Sequence, residues 1–445
     1  MNREEIEWIT QNLFVGNKLW SGDVHAKGGK GFDLRDIKVP IILFASMGDN
    51  ITPPQQAFNW VADVYGSTEE IKARGQVIVG LLHQDVGHLG IFVSGKVAKK
   101  EHAQIVSVLK SVELLPPGLY GMEIRESKGG DGQTEYAVQF HERRLEEISA
   151  RLNKVQRADE KPFEAVAAVS EFNQRAYELF AQPLVQSMSN ETTAKVSREL
   201  HPLRAQRWAI SDSNPWLAWL GPAAQAVQTQ RKALPADDPA RRSEAFASEL
   251  VSASLDYYRA TRDAKSEATF FMTYGSMFSL FLPDKHETDE HASTADTDPR
   301  EMPFVKEALA SIREGGYAEA FARAGYLLTP KGDVPLSRLT FRQEMLKDYG
   351  DFLPALPVDQ LRRIRGEQEI IARYEPEQAI ETLPALLANR ADRERLLMLF
   401  ERLLADKRVQ KRKPTAEQMA MLGRIRAVLH ERPLGEPRLA AVKQA

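Results

Sequence analysis

Two apolar runs, 41–49 (IILFASMGD) and 75–83 (GQVIVGLLH), flank a stretch with helical spacing, and this triplet constrains the fold more than any other feature of the chain. The first run is entered through Pro40 and leaves through a Gly48-Asp49-Asn50 turn. Continuous apolar runs of this length, bounded by turn residues, read as strands buried on both faces. Thr52 stands where it can cap a helix with Pro53 at its first position. Phe58, Val61 and Tyr65 then recur at helical spacing. Strand, helix, strand is a βαβ unit, and such units build parallel sheets.

Leu119 to Arg125 and Tyr136 to Glu142 read as two more strands, joined by the Gly-rich polar run from Glu126 to Thr134. A hairpin or small appended sheet is expected there. From about Arg143 the pattern turns helical. Ala165 to Phe180 reads as one helix and Glu244 to Leu282 as one or two, with loop signals at 211–215 (SDSNP) and 234–239 (LPADDP) between them. Lys285 to Arg300 holds no apolar residue larger than Ala and is expected to be a flexible linker. Beyond it, three stripes mark the packing faces of a helical bundle: Val305, Leu309 and Ile312; Leu396, Leu399, Phe400 and Leu403; and Met419, Leu422 and Ile425. The expected fold class is therefore an α/β N-terminal piece, parallel strands plus a small hairpin, followed by a mainly α-helical region. The divisions fall at 1–118, 119–284, the linker 285–300, the bundle 301–430 and a disordered tail 431–445.

Charge excludes some functions. With 59 basic and 62 acidic residues the net charge is −3, so nothing draws the chain to nucleic acid or an anionic membrane. The start, MNREEIEWIT, lacks the apolar core of a secretory signal. The most apolar stretch, Ala268 to Leu282, has about fifteen residues against the ~20 that span a bilayer, and is expected as a buried helix with no membrane span. The chain has no cysteine, which removes disulfides, thiolate metal sites and a Cys nucleophile. This usage suits the cytoplasm.

The residues fit for chemistry are Asp49, just past the first buried strand, and His88, in the loop after the second. Reactive groups of open α/β sheets gather outside the carboxyl ends of the strands. Hydrolases of this class place nucleophile, acid and histidine there in that chain order. Gly87 and Gly90 would let the His88 loop turn tightly. Taken singly, Asp49 reads as a turn residue and His88 as a loop histidine; taken together they read as an acid–base pair. His83, at the end of its strand, reads as structural.

Three segments carry a resemblance: Asp33-Leu34-Arg35-Asp36-Ile37 before the first strand, Gly48-Asp49-Asn50-Ile51-Thr52-Pro53 after it, and Gly87-His88-Leu89-Gly90. They are similar to the C-terminal part of the α/β-hydrolase domain of polyhydroxyalkanoate synthases. More closely, they resemble a bacterial 3-hydroxyalkanoate synthetase-like family related to those synthases. The synthase-like similarity covers about residues 1–110, and that to the closer family continues into Arg204 to Trp219 and the helical tail. It implies a partial α/β-hydrolase fold with Asp49 as triad acid and His88 as triad base. It also implies acyltransferase or esterase chemistry on an acyl-ester or hydroxyacyl-CoA substrate, with no metal or organic cofactor.

The chain departs from that pattern in lacking both the Cys nucleophile and a Gly-x-Ser-x-Gly elbow; Gly275-Ser276-Met277 has no second Gly. Only 48 residues precede Asp49, where the earlier strands and elbow would need on the order of 150. The expectation is a C-terminal portion of a larger hydrolase-like protein, from a truncated product, a split gene or a shortened gene model. On that reading the partner is the missing N-terminal hydrolase segment or a second copy in a homo-oligomer. The alternative is a non-catalytic helical scaffold or oligomerisation protein carrying a hydrolase remnant. His286 and His291 lack the His-Glu-x-x-His spacing of a metal site, and the basic run from Lys407 to Lys413 reads as a solvated loop between helices.

Overall fold

The computed structural model describes residues 2–16, 18–25, 31–128, 134–152, 161–231, 233–235, 237–281, 298–329 and 332–431. The expected tail lies outside these residues apart from position 431. So do His286, His291 and all of the expected linker except 298–300, where Pro299–Glu301 forms a short tight helical turn. The chain separates into two compact units, 18–155 with 287–445, and 1–17 with 156–286.

The first unit is built on a five-stranded sheet in the order β1-β2-β3-β4-β5. β1 (Ile41–Ser46), α1 (Pro54–Tyr65), α2 (Thr68–Ala73) and β2 (Val77–His83) are the expected βαβ unit, and β1 and β2 run parallel from Ile41 opposite Ile78 to Ser46 opposite His83. β2 is buried as expected along most of its length, but Ile41 to Phe44 of β1 are only half-buried. The reason is position: β1 is the edge strand, with a neighbour on one side only.

α3 (Ala103–Val112) returns the chain to β3 (Gly118–Lys128), which pairs parallel to β2 through Val77–Gly118 and Gly80–Gly121. β4 (Thr134–Arg143) folds back antiparallel on β3. The expected hairpin is thus not appended but continues the parallel sheet. The last strand comes from far along the chain: β5 (Val334–Pro335) pairs with Gln139 and Phe140 of β4.

Both faces of the sheet are covered, as parallel strands require. On one face Val77, Val79 and Leu81 pack with Val108, Val112 and Leu115 from α3 and its exit, and with Tyr120, Met122, Val138, Phe140 and Leu339. On the other, Ile78 and Leu119 meet Val61, Tyr65 and Ile71 of α1 and α2. Each such side chain taken fully from water contributes roughly 1.5–3 kcal/mol, which the ordering of the chain offsets in large part.

The longer C-terminal helices of this unit are α4 (Pro303–Ala310), α5 (Tyr317–Leu328), α6 (Leu336–Asp348), α7 (Val358–Tyr374), α8 (Arg390–Ala405) and α9 (Ala416–Glu431). The basic run expected as a loop between helices is itself a short helix over Lys407–Arg412, capped by the Asp406 side chain. Leu396, Leu399, Phe400, Leu422 and Ile425 are buried together, as the stripes indicated, while Met419 at the edge stays exposed. α7 presses on α2 so closely that a Cβ on Gly366 would lie 1.6 Å from the Lys72 carbonyl oxygen. A buried ion network fixes the same contact. Lys72 Nζ pairs with Glu142 at 2.8 Å and Glu369 at 3.0 Å, and Arg373 bridges both carboxylates.

The second unit is helical in its described residues, with helices at Lys161–Ala176, Glu191–Glu199, Pro202–Ala209, Leu220–Thr229 and Pro239–Met272. Asp238 caps the long helix and Asn190 caps Glu191–Glu199 through their side chains. Phe163 and Phe270 meet at 4.7 Å between ring centroids and join the first of these helices to the last. The stretch from Ala268 is helical to Met272, then turns wider and tighter, but it is not buried: Met272, Met277 and Leu280 are all exposed. Phe270, Phe271, Tyr274 and Phe278 are half-buried, and none of residues 268–280 is fully buried. Among the described residues no helix is long and apolar enough to cross a membrane.

Candidate functional site

Asp49 and His88 come together at the carboxyl ends of the parallel strands β1 and β2. His88 Nδ1 lies 2.9 Å from Asp49 Oδ2. Two features of the chain bring the loops this close. The Met47 amide donates to the His83 carbonyl at 2.9 Å, carrying the β1–β2 pairing past the strand ends. Gly48 then admits the loop after β2: a Cβ there would stand 2.6 Å from the Asp85 carbonyl carbon. Gly87, by contrast, has open space around it, and a Cβ on Gly90 would strike only the Val86 side chain. The glycine that shapes the site is therefore Gly48, not the pair beside His88.

Asp49 is both a turn residue and the partner of His88. Its Oδ1 accepts the amides of Ile51 and Thr52, each at 2.9 Å. That turn aims Oδ2 at the histidine. The Thr52 hydroxyl donates to the same Oδ2 at 2.7 Å and lies 3.0 Å from His88 Nδ1. Thr52 therefore does not cap α1, whose N-cap is Pro53 with Pro54 at its first position. An Asp three residues before a Thr is an ordinary turn spacing, so only the loop approach reveals this use of the hydroxyl.

The protons can be assigned by counting. Thr52 has one hydroxyl proton, and its short bond to Asp49 takes it, leaving lone pairs toward His88. His88 Nδ1 must then carry the hydrogen shared with Asp49 and Thr52, which leaves Nε2 with its lone pair in the neutral ring. Burial pushes the Asp49 carboxyl up, but the Thr52 hydroxyl and amide, His88 and the Ile51 amide together outweigh it and hold the group well below the usual carboxylate range. Asp49 is thus a fixed negative charge beneath the imidazole.

Asp49 is buried, and the His88 side chain is about one third exposed. Among the described residues no side chain bonds to its Nε2. Ile51 and Leu89, in the two loops, and Phe92 and Val93, in the short helix Gly90–Val93 that follows His88, are exposed apolar residues. His83 is structural: its Nδ1 accepts the amides of Asp85 at 3.2 Å and Val86 at 3.3 Å, curling the loop that delivers His88. Among the described residues no group of three His, Asp or Glu side chains is placed to hold a metal. The arrangement can orient an imidazole, stabilise its protonated form and accept a proton at Nε2.

A curated relative from Rhizobium meliloti, "Uncharacterized protein in ackA 5'region", is 34% identical over 336 residues, which make up 73% of this chain and 45% of the relative. The chain therefore spans less than half the length of that relative. No solved structure gives a significant match. The family model "Protein of unknown function (DUF3141)" matches residues 1–313, more than half of the chain, and the protein accordingly belongs to the DUF3141 family.

Proposed function

We propose that this chain carries the acid and the base of an α/β-hydrolase-type acyl-transfer site, Asp49 and His88, acting with a nucleophile from outside the described residues. The observation that carries the proposal is the 2.9 Å contact of Asp49 with His88 Nδ1 at the carboxyl ends of two adjacent parallel strands. It fits the resemblance to the synthase-like hydrolases, whose acid and histidine occupy that place. A cytoplasmic esterase or acyltransferase acting on an acyl ester or hydroxyacyl-CoA follows.

In this scheme His88 Nε2 takes the proton of a serine hydroxyl or cysteine thiol as that group attacks the acyl carbonyl. Asp49 balances the imidazolium charge. The same proton passes to the departing alkoxide or thiolate, leaving the acyl group on the nucleophile. Water or a hydroxyl acceptor then releases it by the same steps, His88 again accepting and returning one proton.

Chemical rescue tests this. Purified chain with a short-chain aryl ester or a 3-hydroxyacyl-CoA should turn over at background. Added small thiols or alcohols should accelerate acyl transfer in a His88-dependent way. Positioned general bases are worth ~10²–10⁴-fold, so even a loosely held nucleophile should show a clear loss in His88→Ala. Equal rescue in wild type and His88→Ala would end the proposal. Turnover without any additive, abolished by His88→Ala, would show that the chain supplies its own nucleophile.

A second reading rests on the helical unit, where Phe180, Trp208, Trp216 and Trp219 are exposed. Exposed aromatic groups of this density mark interaction surfaces. On that reading the unit is a scaffold or oligomerisation module and the acid–base pair a remnant. It predicts a concentration-dependent oligomer and no His88-dependent rescue.

A further inference from the structure

At the opposite end of the sheet from His88, two arginines converge on one oxygen. Arg342 Nη1 of α6 and Arg365 Nη2 of α7 each lie 3.2 Å from the carbonyl oxygen of Leu114, between α3 and β3. Arg365 Nη2 also reaches the Leu115 carbonyl at 3.1 Å. These neutral carbonyls are the hydrogen-bond acceptors the two guanidiniums have among the described residues, and neither forms an ion pair there. The nearby carboxylates of Glu142 and Glu369 are already held by Lys72 and Arg373.

Two further donors at this place lack an acceptor. Arg365 Nε and the Tyr326 hydroxyl, on α5, are both hidden from solvent with no hydrogen-bond partner. Burial, and then the neighbouring Arg365, push the Arg342 guanidinium down to about 9, which leaves it charged at neutral pH. Orphaned donors also occur elsewhere in these helices: Arg323 bonds to Gln368 and Thr382 at 2.7 Å each, yet its Nη2 is likewise hidden without a partner. What sets Arg342 and Arg365 apart is that two guanidiniums share one neutral carbonyl oxygen. Like charges with no counter-ion and hidden donors with no acceptor are costly together. A bound water would supply the acceptor but not the charge.

We propose that Arg342, Arg365 and Tyr326 form a binding site for a phosphate group. A tetrahedral oxyanion offers acceptors in several directions, which suits donors arriving from α5, α6 and α7; guanidinium forks are the side chains best matched to it. The site lies beside the amino end of β3, whereas Asp49 and His88 lie past the carboxyl ends of β1 and β2, so it is separate from the acyl-transfer site and does not depend on it. Its occupant would tie α5, α6 and α7 to the turn before β3, making stability of this unit sensitive to phosphate.

The test is titration of the full chain with inorganic phosphate in chloride buffer, followed by calorimetry and by thermal unfolding, with acetate in parallel. Saturable binding is expected, with a rise in unfolding temperature that acetate does not match. In Arg342→Met/Arg365→Met the binding should fall at least tenfold, and Tyr326→Phe should weaken it less. The exposed Arg390, which pairs with Glu394, supplies the control Arg390→Met, expected to bind as wild type. Absence of saturable phosphate binding to wild-type protein overturns the site whatever the variants do. Acetate binding as tight as phosphate overturns the phosphate assignment, and undiminished binding in the double variant places the anion elsewhere. Should the double variant fail to fold, Tyr326→Phe and the wild-type titration still decide.

Discussion

The Thr52 hydroxyl lies 3.0 Å from His88 Nδ1 although 36 residues separate them along the chain. It donates to Asp49 and presents only lone pairs to the ring, so it helps decide which nitrogen of His88 bears the hydrogen. Thr52→Val keeps the branched shape and removes that donor. We expect a loss of about 1–2 kcal/mol of stability, the usual effect of leaving a buried hydrogen-bond partner unmet. Nitrogen-15 NMR of the histidines should show His88 as the Nδ1-protonated form in wild type and a mixture in the variant. An unchanged tautomer would mean that Asp49 alone sets it.

Asp49 gives a pH dependence whose sign follows from its lowered carboxyl. A folded value below the unfolded one means that the stabilisation is fully present above the ordinary carboxylate range. It is lost as pH falls through the folded value. In a His88→Ala background, which removes the titration of the ring, Asp49→Asn should lower the unfolding temperature by a constant amount from neutral pH down to about 4, near the unperturbed Asp value. Below that the gap should close. A gap that widened on acidification would contradict the hydrogen-bonded carboxylate.

The contact of Asp49 with His88 is legible because each residue follows an apolar run whose end the sequence marks, and parallel strands bring such ends together. Thr52 reads as a cap because capping is the commoner use of a Thr before a Pro, whereas its hydroxyl meets Asp49 and, in another loop, His88. Gly87 and Gly90 stand out only by adjacency to His88, whereas Gly48 matters through contact with Asp85, which no local pattern records. The same holds for β5. Two residues, Val334 and Pro335, carry no strand signal of their own and are strand only because β4 offers them a free edge. In the helical unit the run from Ala268 reads as buried yet is not, because hydropathy measures what a segment would bury and not whether a neighbour is there to cover it.

Gly366 tests the packing of α7 on α2. Any side chain there must displace the Lys72 backbone, since the added carbon would sit 1.6 Å from its carbonyl oxygen. Gly366→Ala should destabilise by about 3 kcal/mol, the upper end for overpacking. Gly325 is the control: it lies in α5 with nothing within 4 Å of an added carbon, so Gly325→Ala should be neutral or stabilise by up to about 1 kcal/mol through helix propensity. Equal effects at the two sites would mean that α7 does not contact α2 as described.

Lys72 joins that contact to the sheet, pairing with Glu142 of β4 and Glu369 of α7 from a side chain only 4% exposed. Burial pushes the Glu142 carboxyl up, but Lys72 and Arg373 outweigh it and lower the net value, so this stabilisation too is present above the ordinary carboxylate range and lost on acidification. Lys72→Met should cost about 3 kcal/mol, the low end for breaking a buried pair, because Arg373 still partners both carboxylates. Adding Glu369→Gln to that variant should recover part of the loss, since it removes the carboxylate left in excess. The measurement is a double-mutant cycle by denaturant unfolding at neutral pH. Strict additivity of the two changes would show that Lys72 and Glu369 are not coupled, and the link between sheet and α7 would then rest on packing alone.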